Sequence, residues 1–192
     1  MKITGVVLAG GKSSRYGKLK MFETYKELPF YEHSVNAFDK AGIQNIYIST
    51  NKELAPSFDQ RKVGILVEEC QHEGPLYGLA WALRALQDQA DWIFLLPSDT
   101  PFITSEFVKT MISNMLNHQP PAWDAFIPKS GTKLQPLHGV YHTRNLEIIE
   151  KLLDQNKRSM YPLIQSIHYQ DVYFEEDQSD FTNINYPEDW KF

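Results

Sequence analysis

A single cysteine, Cys70, is all the thiol chemistry this 192-residue chain holds. One cysteine cannot close an internal disulfide, and no Cys/His cluster offers zinc-ligand spacing. A reducing, cytoplasmic setting is therefore expected. Long apolar runs are lacking as well. The opening stretch is cut by Gly10 and Gly11, too short for a signal peptide or a membrane span, so no membrane partner is expected. Positive charge is not in excess: 19 Lys and Arg face 24 Asp and Glu, a net charge of −5. Charge alone thus gives no reason to expect a nucleic-acid partner. Repeats, low-complexity tracts and Ser/Gly linkers are missing too. What remains is an ordinary globular balance, 42% hydrophobic and 22% charged, on a length that suits one α/β domain.

The pattern along the chain alternates apolar strands with helices. Residues 3–8 are continuous and β-branched, as a strand buried on both faces requires. Residues 45–49, 63–68 and 92–96 read as further strands. Helices are expected at 31–40, stopped by Gly42, at 76–89 with Leu79, Leu83 and Leu86 on one face, and at 104–117. Thr104 can cap the last of these. Buried strands joined by helices predict an open, doubly wound sheet over residues 1–117. After residue 118 the pattern is more mixed. Short strands are expected at 124–128, 139–142 and 172–175, a helix at 145–154, and a helix start at Tyr186-Pro187-Glu188-Asp189. These are too few for an independent core, so the expectation is a single domain over 1–192.

The chemistry concentrates in a few segments. Leu8-Ala9-Gly10-Gly11-Lys12-Ser13-Ser14-Arg15-Tyr16-Gly17-Lys18-Leu19-Lys20 follows directly on the first strand. Paired glycines let backbone N–H groups approach an anion, and Lys12, Arg15, Lys18 and Lys20 gather positive charge on a negative chain. That suits a triphosphate, although neither a Walker loop nor a dinucleotide fingerprint is present. Asp99, in Pro97-Ser98-Asp99-Thr100-Pro101, lies just past an apolar strand, where open α/β sheets bind ligands. One carboxylate with waters and substrate phosphates is a common way to hold Mg²⁺; an Asx turn is the plainer role. Val67-Glu68-Glu69 ends the third strand. A carboxylate there can accept from two adjacent N–H donors, which guanine presents on its Watson–Crick edge and adenine and cytosine do not. A solvated acidic turn is the alternative. Gly78, early in a helix, points to a close approach by a ligand or by a neighbouring strand. Gln135, Asn183 and Asn185 are amides able to bind polar substrates or to stabilise turns.

Taken together, these segments resemble the molybdenum cofactor guanylyltransferase family, the MobA-like nucleotidyltransferases. The likeness rests on LAGGKSSRYGKLK at 8–20, VEE at 67–69, GPLYGL at 74–79, PSDTPF at 97–102, QPLHGVY at 135–141 and FTNINYPEDW at 181–190. It implies a single Rossmann-like three-layer α/β domain with a mostly parallel sheet, of the nucleotide-diphospho-sugar transferase type. Residues 1–117 would form its nucleotide-binding half and 118–192 its acceptor half. It implies transfer of GMP from GTP to molybdenum-bound molybdopterin with release of pyrophosphate. By that resemblance Leu8, Ala9, Gly10 and Gly11 contact the nucleotide, Lys20 and Arg15 neutralise its phosphates, Glu69 takes the guanine-reading position, and Asp99 holds nucleotide and Mg²⁺. Gln135, Asn183 and Asn185 are the candidates for the acceptor. The implied partners are GTP, the molybdopterin and, transiently, other cofactor-biosynthesis proteins or target molybdoenzymes. The chain departs from the family's usual pattern at Glu69, often Asp, at Ser98, often Cys, at Lys18, which competes with Lys20, and at 25–29, which lacks an Asn-Gly turn. A cytidylyltransferase acting on molybdopterin, or a sugar- or polyol-phosphate nucleotidyltransferase, would share the loop and Asp99. A non-catalytic nucleotide-binding module would have little use for Lys20 and Asp99.

Overall fold

The computed structural model describes residues 1–10, 19–69, 73–118 and 123–184. Strand β1 is Ile3–Leu8, followed by a 3₁₀ turn at Lys20–Phe22 and a small hairpin of β2 (Thr24–Tyr25) and β3 (Leu28–Pro29). Helix α1 (Phe30–Lys40), β4 (Asn45–Asn51), β5 (Gly64–Glu68), α2 (Pro75–Leu86), β6 (Trp92–Pro97) and α3 (Ser105–Asn117) complete the first part. Then come β7 (Ala125–Ser130), β8 (Lys133–Leu134), β9 (Val140–His142), α4 (Leu146–Asp154), the short α5 (Tyr161–Ile164) and β10 (Tyr169–Phe174).

One sheet carries both parts, in the order β10-β7-β9-β6-β1-β4-β5, with β8 paired to β7. β5, β4, β1 and β6 run parallel, as do β7 and β10. β9 enters antiparallel between β6 and β7. The architecture is a single α/β domain with a mostly parallel sheet, as the alternation of buried strands and helices predicts.

Successive side chains on a strand point to opposite faces, and here each face has its own core. Val7, Phe94 and Leu96 join α1 and α3 through Phe38, Phe107 and Met111. Val6, Ile93 and Leu95 join α2, α4 and α5 through Leu79, Leu83, Ile149 and Leu163. All six residues of β6 are buried. Each leucine that α2 contributes is worth about 1.5–3 kcal/mol relative to exposure.

Helix α3 starts as expected: the Thr104 hydroxyl accepts from the Phe107 N–H at 3.1 Å. Helix α2 ends three residues before the expected boundary, because the N–H groups of Gln89 and Ala90 both turn back to the Leu86 carbonyl and send the chain into β6. β10 starts three residues before its expected start. Tyr169, Gln170 and Asp171 pair with Ala125, Phe126 and Ile127 on a sheet edge, where one polar face is tolerated. The helix start expected at 186–189 lies outside the described residues.

Candidate active site

The parallel strands deliver their C-terminal ends to one rim. The chain order reverses beside β1, with β4 on one side and β6 on the other, the place where open α/β sheets form a ligand crevice. Leu8 pairs with Ser49 and Pro97 at that rim. The backbone there is tightly tied. The Ser98 N–H donates to the Leu8 carbonyl at 3.2 Å, and the Ala9 N–H to the Ser49 carbonyl at 2.8 Å. The Thr50 hydroxyl donates to the Ala9 carbonyl at 3.0 Å. Leu8 and Ala9 thus spend these groups on holding the rim together.

Three of the sequence-derived residues meet beside it. Lys20 sits at the start of its 3₁₀ turn, buried, with Met21 and Phe22 packed into the core on the α1 side. Its Nζ stands 2.7 Å from Asp99 Oδ2 and donates to Asn183 Oδ1 at 2.8 Å. The Ile184 N–H donates to the Asp99 carbonyl at 3.3 Å. An ammonium, a carboxylate and an amide from three distant stretches of chain thus converge just past β6. Ser34 of α1 supports this end of the strand, its buried hydroxyl donating to the Pro97 carbonyl at 2.8 Å.

A second carboxylate lies across β1 and β4. Glu68, the last residue of β5, receives the Ser49 hydroxyl on Oε1 at 2.9 Å. A Cβ on Gly10 would stand 3.2 Å from Glu68 Oε2, and one on Gly78 would stand 3.2 Å from Leu8 Cδ2 and 3.5 Å from Glu68 Oε1. Glycine at 10 leaves the carboxylate room beside the start of the loop. Gly78 serves both the strand and the carboxylate. Glu69 lies beyond the strand and is exposed. Strand alternation explains the difference: Glu68 shares a face with Leu66, which packs toward α2, and its neighbour turns the other way. The resemblance pointed to Glu69; the carboxylate beside Gly10 is Glu68.

Gln135 follows β8, its N–H donating to the Pro128 carbonyl at 2.8 Å and its carbonyl accepting from the His138 N–H at 3.0 Å. His138 ends the next 3₁₀ turn, wedged against the rings of Phe107 and Phe181 at 6.0 and 5.2 Å. Burial pushes its imidazole down to about 3, so it stays neutral. Gly11, Arg15 and Asn185 lie outside the described residues. The residues that sequence reasoning passed over are Ser49, for which no motif speaks, and Asp180, whose buried carboxylate accepts from the Thr104 N–H and hydroxyl, both at 2.7 Å.

The donor set bears on a cation. Asp99 brings a hard carboxylate to the rim, and Asn183 brings a neutral amide oxygen. Among the described residues no group of three His, Cys, Asp or Glu side chains could hold a metal ion. A single carboxylate such as Asp99 is a hard oxygen donor of the kind that holds a divalent cation together with phosphate and water oxygens.

Comparison with known proteins gives a consistent picture. Residues 5–171 match the family described as the MobA-like NTP transferase domain. A Halalkalibacterium halodurans protein named "Probable molybdenum cofactor guanylyltransferase" is 37% identical over 192 residues, covering 96% of this chain and 94% of its own. The crystal structure of molybdopterin-guanine dinucleotide biosynthesis protein A from Archaeoglobus fulgidus superposes with a TM-score of 0.74 at 20% identity, covering 98% of this chain and 94% of that one. A Mycobacterium tuberculosis protein solved in complex with manganese gives a TM-score of 0.71 at 16% identity, covering 91% and 89%.

Proposed function

The chain belongs to the MobA-like NTP transferase family, and on that premise we propose that it transfers GMP from GTP to molybdenum-bound molybdopterin, releasing pyrophosphate. The observation that carries this reading is the rim itself. A lysine–aspartate–asparagine group that can handle charged phosphate stands past β6, and a carboxylate that can read a base stands at the end of β5.

Glu68 is the residue assigned to the base, in place of Glu69. Its carboxylate accepts from guanine N1–H and N2–H₂, and a base that places an acceptor next to its donor is repelled. Gly10 offers its backbone N–H to the phosphates, and Gly11 and Arg15 are assigned to the same side from the sequence. Lys20 moves its ammonium from Asp99 to a phosphate oxygen and stabilises charge as it gathers on the leaving pyrophosphate. Asp99 is the residue that would hold a divalent cation, Mg²⁺ being the ion assigned. That ion neutralises phosphate charge when bound. The chain need supply no general base, since the acceptor's terminal phosphate is already anionic near neutral pH. Its work is orientation for in-line attack on the α-phosphorus. Gln135 and Asn185 are assigned to the acceptor. No described helix is long and apolar enough to cross a membrane, and the reading places the enzyme in the cytoplasm.

Calorimetric titration with GTP, CTP, ATP and UTP, each with Mg²⁺, tests the assignment. GTP is expected to bind at least about tenfold more tightly than the others, and Glu68→Gln to abolish that preference while Glu69→Gln keeps it. A CTP preference, or a preference untouched by Glu68→Gln, would overturn it.

A further inference from the structure

The segment 180–184 touches the rim at more points than a simple connector requires. At one end the Asp180 carboxylate is buried and fully engaged. Oδ1 takes both the backbone N–H and the hydroxyl of Thr104 at 2.7 Å, and Oδ2 takes the Gln178 amide at 2.8 Å. Thr104 in turn caps α3 through the Phe107 N–H, so a negative charge is fixed at the positive end of that helix. In the middle, Phe181 is clamped by the rings of Phe107, His138 and Phe174 at 5.4, 5.2 and 5.6 Å. At the other end Asn183 accepts from Lys20, and the Ile184 N–H donates to the Asp99 carbonyl. The segment therefore grips both ends of the 99–104 loop and holds the lysine at the same time.

We propose that 180–184 is a brace for the reacting groups, in which Asn183 is a positioning residue that acts through Lys20 and Asp180 anchors it on Thr104. This rests on the assignment of Lys20 to the nucleotide phosphates. The neutral amide oxygen is what makes the arrangement work. With no cation present, the Lys20 ammonium has a charged partner in Asp99. A divalent cation held by Asp99 would draw that carboxylate's charge away from Lys20 and leave the ammonium in need of a neutral partner. Asn183 is a partner of Lys20 that a change of charge on Asp99 does not remove, so it keeps the ammonium in the cleft rather than letting it swing toward solvent. Resemblance alone put Asn183 on the acceptor; its side-chain oxygen instead serves the nucleotide side.

A double-mutant cycle on the full chain separates the two roles. The readouts are calorimetric binding of GTP with Mg²⁺ and thermal unfolding. Asn183→Ala is expected to weaken GTP binding about tenfold, the loss of one charge-assisted hydrogen bond. In a Lys20→Ala background the same change should cost less than about threefold, because the residue it acts through is gone. Asp180→Asn keeps the size and one acceptor oxygen. It should weaken GTP binding in the wild-type background and not in Lys20→Ala, whereas its loss of thermal stability should persist in both. A merely structural role for Asp180 would carry the binding loss into both backgrounds and overturn the brace. Additive losses for Asn183→Ala and Lys20→Ala, or an Asn183→Ala variant that binds GTP normally and shows only a raised acceptor KM, would overturn it as well. If Lys20→Ala itself leaves GTP binding intact, the phosphate role of Lys20 fails first and the brace falls with it.

Discussion

At the scale of single residues, His138 shows how far packing can override chemistry. Both ring nitrogens are buried and have no hydrogen-bond partner among the described residues. The folded state holds the imidazole near 3 against an ordinary 6.5, so the unfolded chain binds the extra proton first as pH falls. Stability is therefore full above about pH 6.5 and drains as pH drops toward 3. From this residue alone the loss between pH 7 and pH 5 is about 2 kcal/mol, and His142, also depressed by burial, adds to it in the same direction. Urea unfolding at the two pH values should show that difference, and His138→Leu should remove most of it while raising stability at pH 7. An unchanged difference in the leucine variant would mean that other groups set the acid limb. In the sequence His138 stands out only as part of the QPLHGVY segment at 135–141. Lys20 and Asp99 stand out there because charge on a glycine loop and a carboxylate past an apolar strand are local signals, and Asn183 as an amide; the structure brings the three together. That Lys20 and Asn183 touch was not legible, since 163 residues separate them. That Glu68 and not Glu69 lies beside Gly10 was legible in principle, through the phase of strand alternation set by Leu66.

At the scale of elements, the β2–β3 hairpin carries a visible strain. Its two turn residues, Lys26 and Glu27, have φ of 45° and 68°. Both lie in the left-handed region that two-residue hairpins demand and that Asn-Gly adopts most easily. The turn forms because its flanks are tied: Tyr25 packs edge-on against Phe102 at 5.0 Å, and its carbonyl lies 2.9 Å from His33 Nε2. Lys26→Asn with Glu27→Gly should raise stability by about 1 kcal/mol, after allowing for the lost contact of Lys26 with the Tyr25 ring. In a thermal melt that is a rise of about 3 °C. A lower Tm would mean that the surroundings, not the turn residues, set the backbone. Long elements with strong periodicity were legible from the sequence: β1, α1, β4, α3 and β6 fall close to where apolar patterning puts them. The hairpin, β8 and the four-residue α5 were not, because two to four residues carry no period and their shape comes from tertiary contacts.

At the scale of the whole molecule, the antiparallel entry of β9 joins what would otherwise be two halves. Phe94, in the fully buried β6, pairs with Val140, which also pairs with Phe126. A fragment of residues 1–117 would leave one edge of β6, and the apolar faces beside it, open to water. The expected result is a single cooperative unfolding transition for the full chain and no urea transition for the fragment alone. A fragment that melts cooperatively would show the first part to be self-sufficient. The same strand order has a consequence during synthesis. β6 is complete at residue 97, yet its outer neighbour ends at residue 142, 45 residues later. At about 5–20 residues per second, the nascent chain carries an unpaired, wholly apolar edge outside the ribosome for several seconds. That interval, more than any property of the finished fold, is when the chain is most exposed to self-association and has most to gain from a chaperone.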